Sequence, residues 1–281
     1  MGPEPSDALG RSRRWTTSRS TGYGSPTSDE ATGRHWSCST APSATAGCGG
    51  RNWKPSPPTT RWWPGTRPDA ASRPTHPRAT AWPTYARCLA GLIEALDLGP
   101  THLLGHSWGT ALALELAHRR PELVNTLVLV GAYAGWAGSL PPDEVERRLD
   151  FAHQLADSIP SSFDPRSMPG LFSDVMPPDR AAELAGIMSD IRPAGTRMMA
   201  EALAASDQRE ILGSIDAPAL LVYGDQDIRS PVEIGEELHE ALSNSTLTVL
   251  PGLGHECYLE DAARFEEAVR TFLDAHRRRE R

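Results

Sequence analysis

One apolar run, Val124–Val130 (VNTLVLV), limits the possible folds more than any other segment of the chain. A strand with one face in water alternates apolar and polar residues, whereas a nearly continuous apolar run indicates a strand buried on both faces. Strands of this kind occur in parallel sheets that helices cover on both sides. The run therefore predicts an α/β fold with a doubly wound, mostly parallel sheet.

The chain from Tyr85 onward alternates short apolar strands with helices of helical periodicity. Further strands are predicted at Thr101–Leu104, Ala219–Tyr223 and Thr246–Leu250. Helices are predicted at 88–96, 111–117, 231–242 and 262–275. Prolines divide residues 139–210 into several short helices. The pattern predicts an α/β core of residues 85–138 and 211–276, with residues 139–210 inserted as a helical cap.

Five methionines concentrate in the predicted cap, and two interpretations of them are open. They are Met168, Met176, Met188, Met198 and Met199. Unbranched thioethers fill irregular space, so they can pack between helices or form an adaptable lining for an apolar substrate. Packing is the simpler interpretation and the one that we favour.

Composition separates the first third of the chain from the rest. Residues 1–82 contain one Leu and no Val, Ile or Phe, a composition that cannot bury enough apolar surface to fold. They carry 11 Lys and Arg against 5 Asp and Glu, while the remainder carries 17 against 31. The acidic body argues against nucleic acid as a partner. The basic segment contains Trp residues but no periodic Arg pattern, which disfavours single-strand binding.

Cysteine usage and hydropathy bear on location and on metals. Cys38, Cys48, Cys88 and Cys257 form no CxxC pair and show no spacing typical of a zinc site. No apolar region follows the N-terminal arginines as in a signal peptide, and no window is long and apolar enough to span a bilayer. We therefore expect a cytoplasmic protein with no membrane partner, no metal and no cofactor, and the oligomeric state stays open.

The pentapeptide Gly105-His106-Ser107-Trp108-Gly109 lies between a predicted strand and a predicted helix. A serine hydroxyl is a weak nucleophile that needs a base, a group that orients the base, and donors for the oxyanion. Two glycines allow a sharp strand-to-helix turn that exposes the hydroxyl at a helix N-terminus. The motif and its context predict that Ser107 is an activated nucleophile.

Candidates for the acid and the base follow the later strands. Asp225 and Asp227 come after Ala219–Tyr223, and His255 follows Thr246–Leu250 among glycines. The chain order is therefore Ser, Asp, His, as in a serine hydrolase with a parallel sheet. Spacing alone leaves open which of the two aspartates orients the histidine.

These motifs resemble those of the α/β-hydrolase family: GHSWG its nucleophile elbow, GDQDIRSP its acid loop, and PGLGHECYLE its histidine loop. The resemblance covers Tyr85 to about His276. It implies that Ser107 is the nucleophile, His255 the general base and Asp227 its orienting acid, with the Trp108 backbone N–H as an oxyanion donor. Asp225 matches a variable position of the acid loop, and His106 is more simply structural.

Residues 1–84 lack the first strand, the His-Gly oxyanion pair and the glycine-rich turn that the family places before the elbow. They are either a natural disordered extension or a translation in the wrong frame, and we favour the second hypothesis. Read one base earlier, residues 35–41 can encode L-V-L-L-H-G, and 61–75 can encode V-V-A-W-D-A-P-G-C-G-x-S-S-D-P. A chain made as written would expose the edge of the elbow strand and lack one oxyanion donor, so we expect weak activity and aggregation.

The function that these residues predict is hydrolysis of a small carboxylic ester or lactone through an acyl-enzyme. A prolyl-aminopeptidase-like hydrolase is an alternative, because Trp after the nucleophile is similar to that group. Its substrate amine would need an acidic site, for which the cap offers Asp143, Glu144 and Glu146, more simply a solvated helix face. A non-enzymatic product that lacks the oxyanion wall is the alternative from another class.

Overall fold

The computed structural model describes residues 35–38, 81–158, 168–188 and 192–276. All of them belong to one compact unit, Thr32–Arg281.

Five strands of the described chain form one sheet in which each neighbouring pair is parallel. They are β1 (His35–Cys38), β2 (Thr101–His106), β3 (Val124–Val130), β4 (Ala219–Gly224) and β5 (Ser245–Leu250), and their order in the sheet is their order in the chain. Four of these strands were predicted, with β3 at its predicted bounds. The parallel α/β sheet is confirmed.

Helices connect the strands: α1 (Ala81–Ala95), α2 (Trp108–Arg119), α3 (Pro142–Ser158), α4 (Pro178–Met188), α5 (Pro193–Ala204), α6 (Arg209–Leu212), α7 (Val232–Ala241), α8 (Cys257–Glu260) and α9 (Ala262–Ala275). The predicted helices are confirmed. α1 begins before the predicted helix, because Pro83 lies in its first turn, where a proline costs no intrahelical hydrogen bond. As predicted, α3, α4 and α5 lie between β3 and β4.

Alternate residues of the central strands pack into two separate buried clusters. Leu127 and Leu129 of β3 belong to the cluster that contains α1 and α2. Val128 and Val130 belong to the other cluster, with Phe265 and other residues of α9. Side chains of successive strand residues point to opposite faces, so both faces of β3 are covered by helices. This explains why its sequence is apolar at nearly every position.

The edge of β2 beside the elbow is paired in the structure. β1 runs parallel to β2, with His35 opposite His102 and Cys38 opposite Gly105. The expectation that this edge is exposed is therefore wrong, because four backbone positions of the N-terminal segment occupy it. β1 falls where the alternative reading frame would place the family's first strand. The other motifs of that reading, after residue 38, lie outside the described residues.

None of the helices in the described ranges is both long enough and apolar enough to cross a bilayer.

The central strand supplies a direct test of the core. We expect Leu129→Ala to lower the free energy of unfolding by about 2–5 kcal/mol, because the side chain is completely buried and its removal leaves a cavity. Leu92→Ala is the matched control: Leu92 is 37% exposed on α1 and its loss leaves no cavity. Chemical denaturation monitored by circular dichroism measures both. Equal losses in the two variants would contradict the assigned core.

Candidate active site

Ser107 occupies a strained turn between β2 and α2. Its backbone has φ 51° and ψ −116°, a conformation that costs a non-glycine residue on the order of 1–3 kcal/mol. Two contacts hold the turn: the Ser107 N–H donates to the Val130 carbonyl over 2.9 Å, and Thr110 donates through its hydroxyl to the Ser107 carbonyl over 2.6 Å. Strain that the surroundings hold in place is typical of a functional position.

The first glycine of the elbow is required by a close backbone approach. A Cβ atom on Gly105 would lie 2.5 Å from the carbonyl oxygen of Gly109 and 2.7 Å from its carbonyl carbon. Both are main-chain atoms, so no side-chain rotation could relieve the contact. The glycine pair in the sequence therefore reflects how tightly α2 turns back on β2.

Asp227 and His255 form a buried pair at the carboxyl ends of β4 and β5. His255 Nδ1 lies 2.8 Å from Asp227 Oδ2, and the two residues are 2% and 4% exposed. The other oxygen, Asp227 Oδ1, accepts the backbone N–H groups of Arg229 and Ser230 over 2.8 Å each. With Asp227 ionised, Nδ1 carries the imidazole proton and Nε2 is left as the basic nitrogen.

The rival carboxylate lies elsewhere. Asp225 is exposed, and its Oδ1 accepts the backbone N–H of Gly252 over 2.6 Å. Asp225 therefore stabilises the loop after β5 at the protein surface and does not contact His255. Of the two aspartates that the sequence left open, the structure brings Asp227 to the histidine.

His106, the residue before Ser107, stabilises the backbone of the loop that carries His255. It is 1% exposed, and its Nε2 lies 3.0 Å from the His255 carbonyl oxygen. A carbonyl can only accept, so Nε2 carries a proton. Burial, followed by the charge of neighbouring His255, lowers the pKa of His106 well below its usual value. His106 is therefore a neutral donor to the His255 backbone, which agrees with its predicted structural role.

Glu260, which the sequence did not single out, connects the same loop to the irregular segment that precedes α4. Its Oε2 accepts the Gly254 N–H over 2.5 Å and the Ser173 hydroxyl over 2.8 Å, and its Oε1 accepts the Ser173 N–H over 2.8 Å. Gly131 lies against the His255 ring: a Cβ atom at this position would be only 3.1 Å from the ring, so the absence of a side chain leaves room for the imidazole. Glu260 thus fixes the backbone next to His255, and Gly131 leaves room for its ring.

Ser107 and His255 line one cavity beneath the helices that follow β3. Most of its wall is apolar, including Trp136, Phe151, Leu155, Leu171, Met188 and Leu203. Met168 and Met199 also line it, and all three lining methionines belong to buried clusters. These three methionines therefore pack in the core and also line the cavity, and their contact with a substrate stays a prediction.

Trp108 begins α2, where backbone N–H groups lack an acceptor within the helix. Its indole is 1% exposed and packs against Trp82 and Tyr85 of α1, with ring centroids 4.9 and 5.1 Å away. The position suits an oxyanion donor, and the segment in which the family places the second donor lies outside the described residues. Within those residues, no group of three His, Cys, Asp or Glu side chains is arranged to hold a metal ion.

Glu256 follows His255 and is completely buried. Neither of its carboxylate oxygens meets strict hydrogen-bond geometry in the described chain, although the Tyr258 hydroxyl lies close enough to favour the charged form. Burial raises the pKa of Glu256 to about 7, and the charge of His255 opposes that rise. The carboxyl group therefore changes its protonation state near neutral pH beside the candidate base.

The Glu256→Gln substitution tests the raised pKa of Glu256. A proton held more tightly in the folded than in the unfolded chain stabilises the fold at low pH, so the free energy of unfolding decreases as pH rises from about 4.5 to about 7 and stays low above that. Glutamine is always neutral, so the variant is expected to be more stable than wild type at pH 8, by on the order of 3 kcal/mol, with little difference at pH 4.5.

Thermal unfolding across this pH range measures the effect. Asp225→Asn, at an exposed carboxylate, is the control, and it should follow the wild-type pH dependence. A Glu256→Gln variant that also follows it would contradict the raised pKa.

Comparison with known proteins places the chain among hydrolases. The chain is 31% identical over 197 residues to pimeloyl-(acyl-carrier protein) methyl ester esterase of Neisseria meningitidis serogroup B. The aligned region covers 66% of this chain and 72% of that protein. It is 28% identical over 195 residues to a 2-hydroxy-6-oxononadienedioate/2-hydroxy-6-oxononatrienedioate hydrolase of Burkholderia vietnamiensis, covering 67% of each.

Solved structures share the fold. A thermophilic esterase from Thermogutta terrifontis superposes with a TM-score of 0.74 at 23% identity, covering 87% of this chain and 90% of that one. The enol-lactonase from Burkholderia xenovorans superposes with a TM-score of 0.65 at 22% identity, covering 85% and 91%. The model of the alpha/beta hydrolase family matches residues 44–268, beginning well before Tyr85. The chain therefore belongs to the alpha/beta hydrolase family.

Proposed function

We propose that this protein is a serine hydrolase that cleaves a small carboxylic ester or lactone through an acyl-enzyme intermediate. The observation that carries the proposal is the buried His255–Asp227 pair, whose histidine shares a cavity with Ser107 on its strained turn. The relatives whose names describe esterase and hydrolase activities support the same reaction class.

In the first half-reaction, the Ser107 hydroxyl oxygen attacks the substrate carbonyl carbon while His255 Nε2 takes the hydroxyl proton. Negative charge develops on the carbonyl oxygen, where the Trp108 N–H and the N-terminus of α2 stabilise it. Asp227 stabilises the imidazolium and keeps its orientation. Collapse of the tetrahedral intermediate breaks the bond to the alkoxy oxygen, which leaves with the proton from His255.

In the second half-reaction, His255 takes a proton from water, and the resulting hydroxide attacks the acyl carbon. The intermediate collapses, Ser107 regains its proton from His255, and the carboxylic acid product leaves. A lactone follows the same steps, except that its alcohol stays attached to the acyl group. The mechanism uses no metal and no cofactor.

We assign residues 139–210 as the cap over this site, above the core of residues 85–138 and 211–276. Residues of α3 and α5, such as Phe151 and Met199, form part of the cavity wall. An apolar wall limits the access of bulk water to the reacting groups. We also propose a cytoplasmic location on the cysteine usage, with which the free thiols of Cys88 and Cys257 agree.

The aminopeptidase alternative finds less support in the cavity. A free substrate amine needs a carboxylate, and none of the described residues that line the cavity is acidic. Of the three acidic residues considered for this role, Glu144 is engaged by Arg147 and Arg148. A comparison of 4-nitrophenyl butyrate with proline 4-nitroanilide separates the two activities, and we expect turnover of the ester.

Covalent labelling tests the nucleophile and the non-enzymatic alternative together. We expect a fluorophosphonate probe to label the wild-type chain and Ser107→Ala to abolish the label, since phosphonylation needs an activated hydroxyl. Ser230→Ala, at a buried serine that donates to the Ala132 carbonyl, is the control and should still be labelled. No label on folded wild-type protein of confirmed mass would favour the product with a damaged oxyanion wall.

A matched pair of substitutions tests the acid. Asp227→Asn places an amide at His255 Nδ1 and favours the wrong tautomer, so kcat should fall by on the order of 10⁴-fold. Asp225→Asn keeps an oxygen for the Gly252 N–H and should leave kcat close to wild type. Steady-state ester hydrolysis measures both. The opposite ranking would identify Asp225 as the functional acid.

A further inference from the structure

Three arginines line the cavity of an otherwise acidic protein. Arg147, Arg148 and Arg229 lie in its wall, and no Asp or Glu does in the described part of the chain. The whole chain has a formal net charge of −8, so this concentration of positive charge is local. An enzyme for neutral esters needs no such charge, which points to a feature of the substrate.

Glu144 neutralises part of this charge. It accepts two hydrogen bonds from Arg147, 2.7 and 2.8 Å long, and one of 2.5 Å from Arg148. Arg148 also donates to the Tyr133 hydroxyl over 3.1 Å and to the Arg229 carbonyl over 2.9 Å. Arg148 is therefore a structural cation, whereas the Arg147 side chain is 66% exposed at the rim.

Arg229 is different because no described carboxylate forms an ion pair with it; the buried Glu256 interacts with its charge only beyond ion-pair distance. Its guanidinium donates to the Pro169 carbonyl over 3.2 Å, and in the described ranges no carboxylate lies within ion-pair distance of it. Its side chain is half-buried at the cavity. A guanidinium removed from water regains most when a carboxylate forms charge-assisted hydrogen bonds with it.

The backbone of Arg229 is fixed on both sides. Its N–H donates to Asp227 Oδ1 over 2.8 Å, and its carbonyl accepts from Arg148 and from the Tyr133 hydroxyl. The residue that orients His255 thus also holds the residue that carries the charge. These contacts preorganise the backbone of Arg229, which lowers the entropic cost of presenting its side chain to the cavity.

We propose that Arg229 is a specificity-determining residue that binds a free carboxylate on the acyl part of the ester or lactone. The inference rests on the proposed function and names the substrate class of the same site. One unpaired positive charge suits a singly charged carboxylate better than a phosphate monoester, which carries nearly two charges at neutral pH. The apolar wall of the same cavity, formed by residues such as Leu155 and Met188, suits a hydrocarbon segment that joins the carboxylate to the scissile group.

Kinetics with two esters of equal chain length test the proposal. Mono-4-nitrophenyl adipate carries a carboxylate, and 4-nitrophenyl hexanoate does not. We expect wild type to favour the charged ester in kcat/KM, mainly through KM, and Arg229→Met to lower the ratio of the two kcat/KM values by about 10- to 100-fold. Arg229→Lys should restore part of the ratio, because it keeps the charge but loses the planar fork.

Arg209→Met is the control for a general loss of positive charge. Arg209 is exposed, pairs with Asp207 and lies outside the cavity wall, so the ratio should stay at the wild-type value. A wild-type enzyme without preference for the charged ester would overturn the proposal. Parallel losses for both esters in Arg229→Met would overturn it as well.

Binding without turnover separates this proposal from the proposed function. Isothermal titration of Ser107→Ala with monomethyl adipate and with dimethyl adipate compares a charged and a neutral ester that stay intact. We expect the charged ester to bind at least about 10-fold tighter, and Arg229→Met in the same background to remove the difference. Equal binding overturns the role of Arg229 even if Ser107 reacts with the fluorophosphonate. Selective binding without a reactive Ser107 refutes only the hydrolase mechanism.

Discussion

The Asp227 carboxylate makes three hydrogen bonds on which the arrangement of the site depends. One oxygen holds the imidazole of His255, and the other holds the backbone of the loop that carries Arg229 and Ser230. A buried carboxylate is costly unless its lone pairs are satisfied, and here backbone N–H groups and an imidazole satisfy them. A single side chain therefore fixes both the candidate base and the loop that lines the cavity. Disturbing it is expected to alter catalysis and substrate binding together.

The parallel sheet explains how residues far apart in the sequence meet. Ser107, Asp227 and His255 each follow the carboxyl end of a different strand, and these ends lie along the same edge of a parallel sheet. The close approach of α2 to β2 at Gly105 then brings the serine to the surface of that edge. The helices between β3 and β4 cover it with an apolar wall, in which the few charged groups stand out.

Periodicity and motif spacing were sufficient for the core. The continuous apolar run of β3 predicted a strand covered on both faces, and the bounds of β3 and α9 are those expected. The acid could not be chosen from spacing, because Asp225 and Asp227 both follow β4; burial and the contact with His255 distinguish them. Strand β1 was not predicted, since HWSC has no run of aliphatic residues and is recognised only by its pairing with β2. The unpaired charge of Arg229 and the buried Glu256 depend on which residues surround them in space, and no local pattern reports that. The frame hypothesis for residues 1–84 stays a prediction.

In the proposed mechanism, Ser107 carries the acyl group between the two half-reactions. The most direct measurement is intact and peptide mass spectrometry of wild-type protein mixed with 4-nitrophenyl butyrate and quenched in acid before the steady state. We expect a burst of nitrophenol equal to the enzyme concentration and a butyryl adduct on the peptide that contains Ser107. Nitrophenol released at a linear rate, with no adduct at any quench time or with the adduct on another residue, would contradict it.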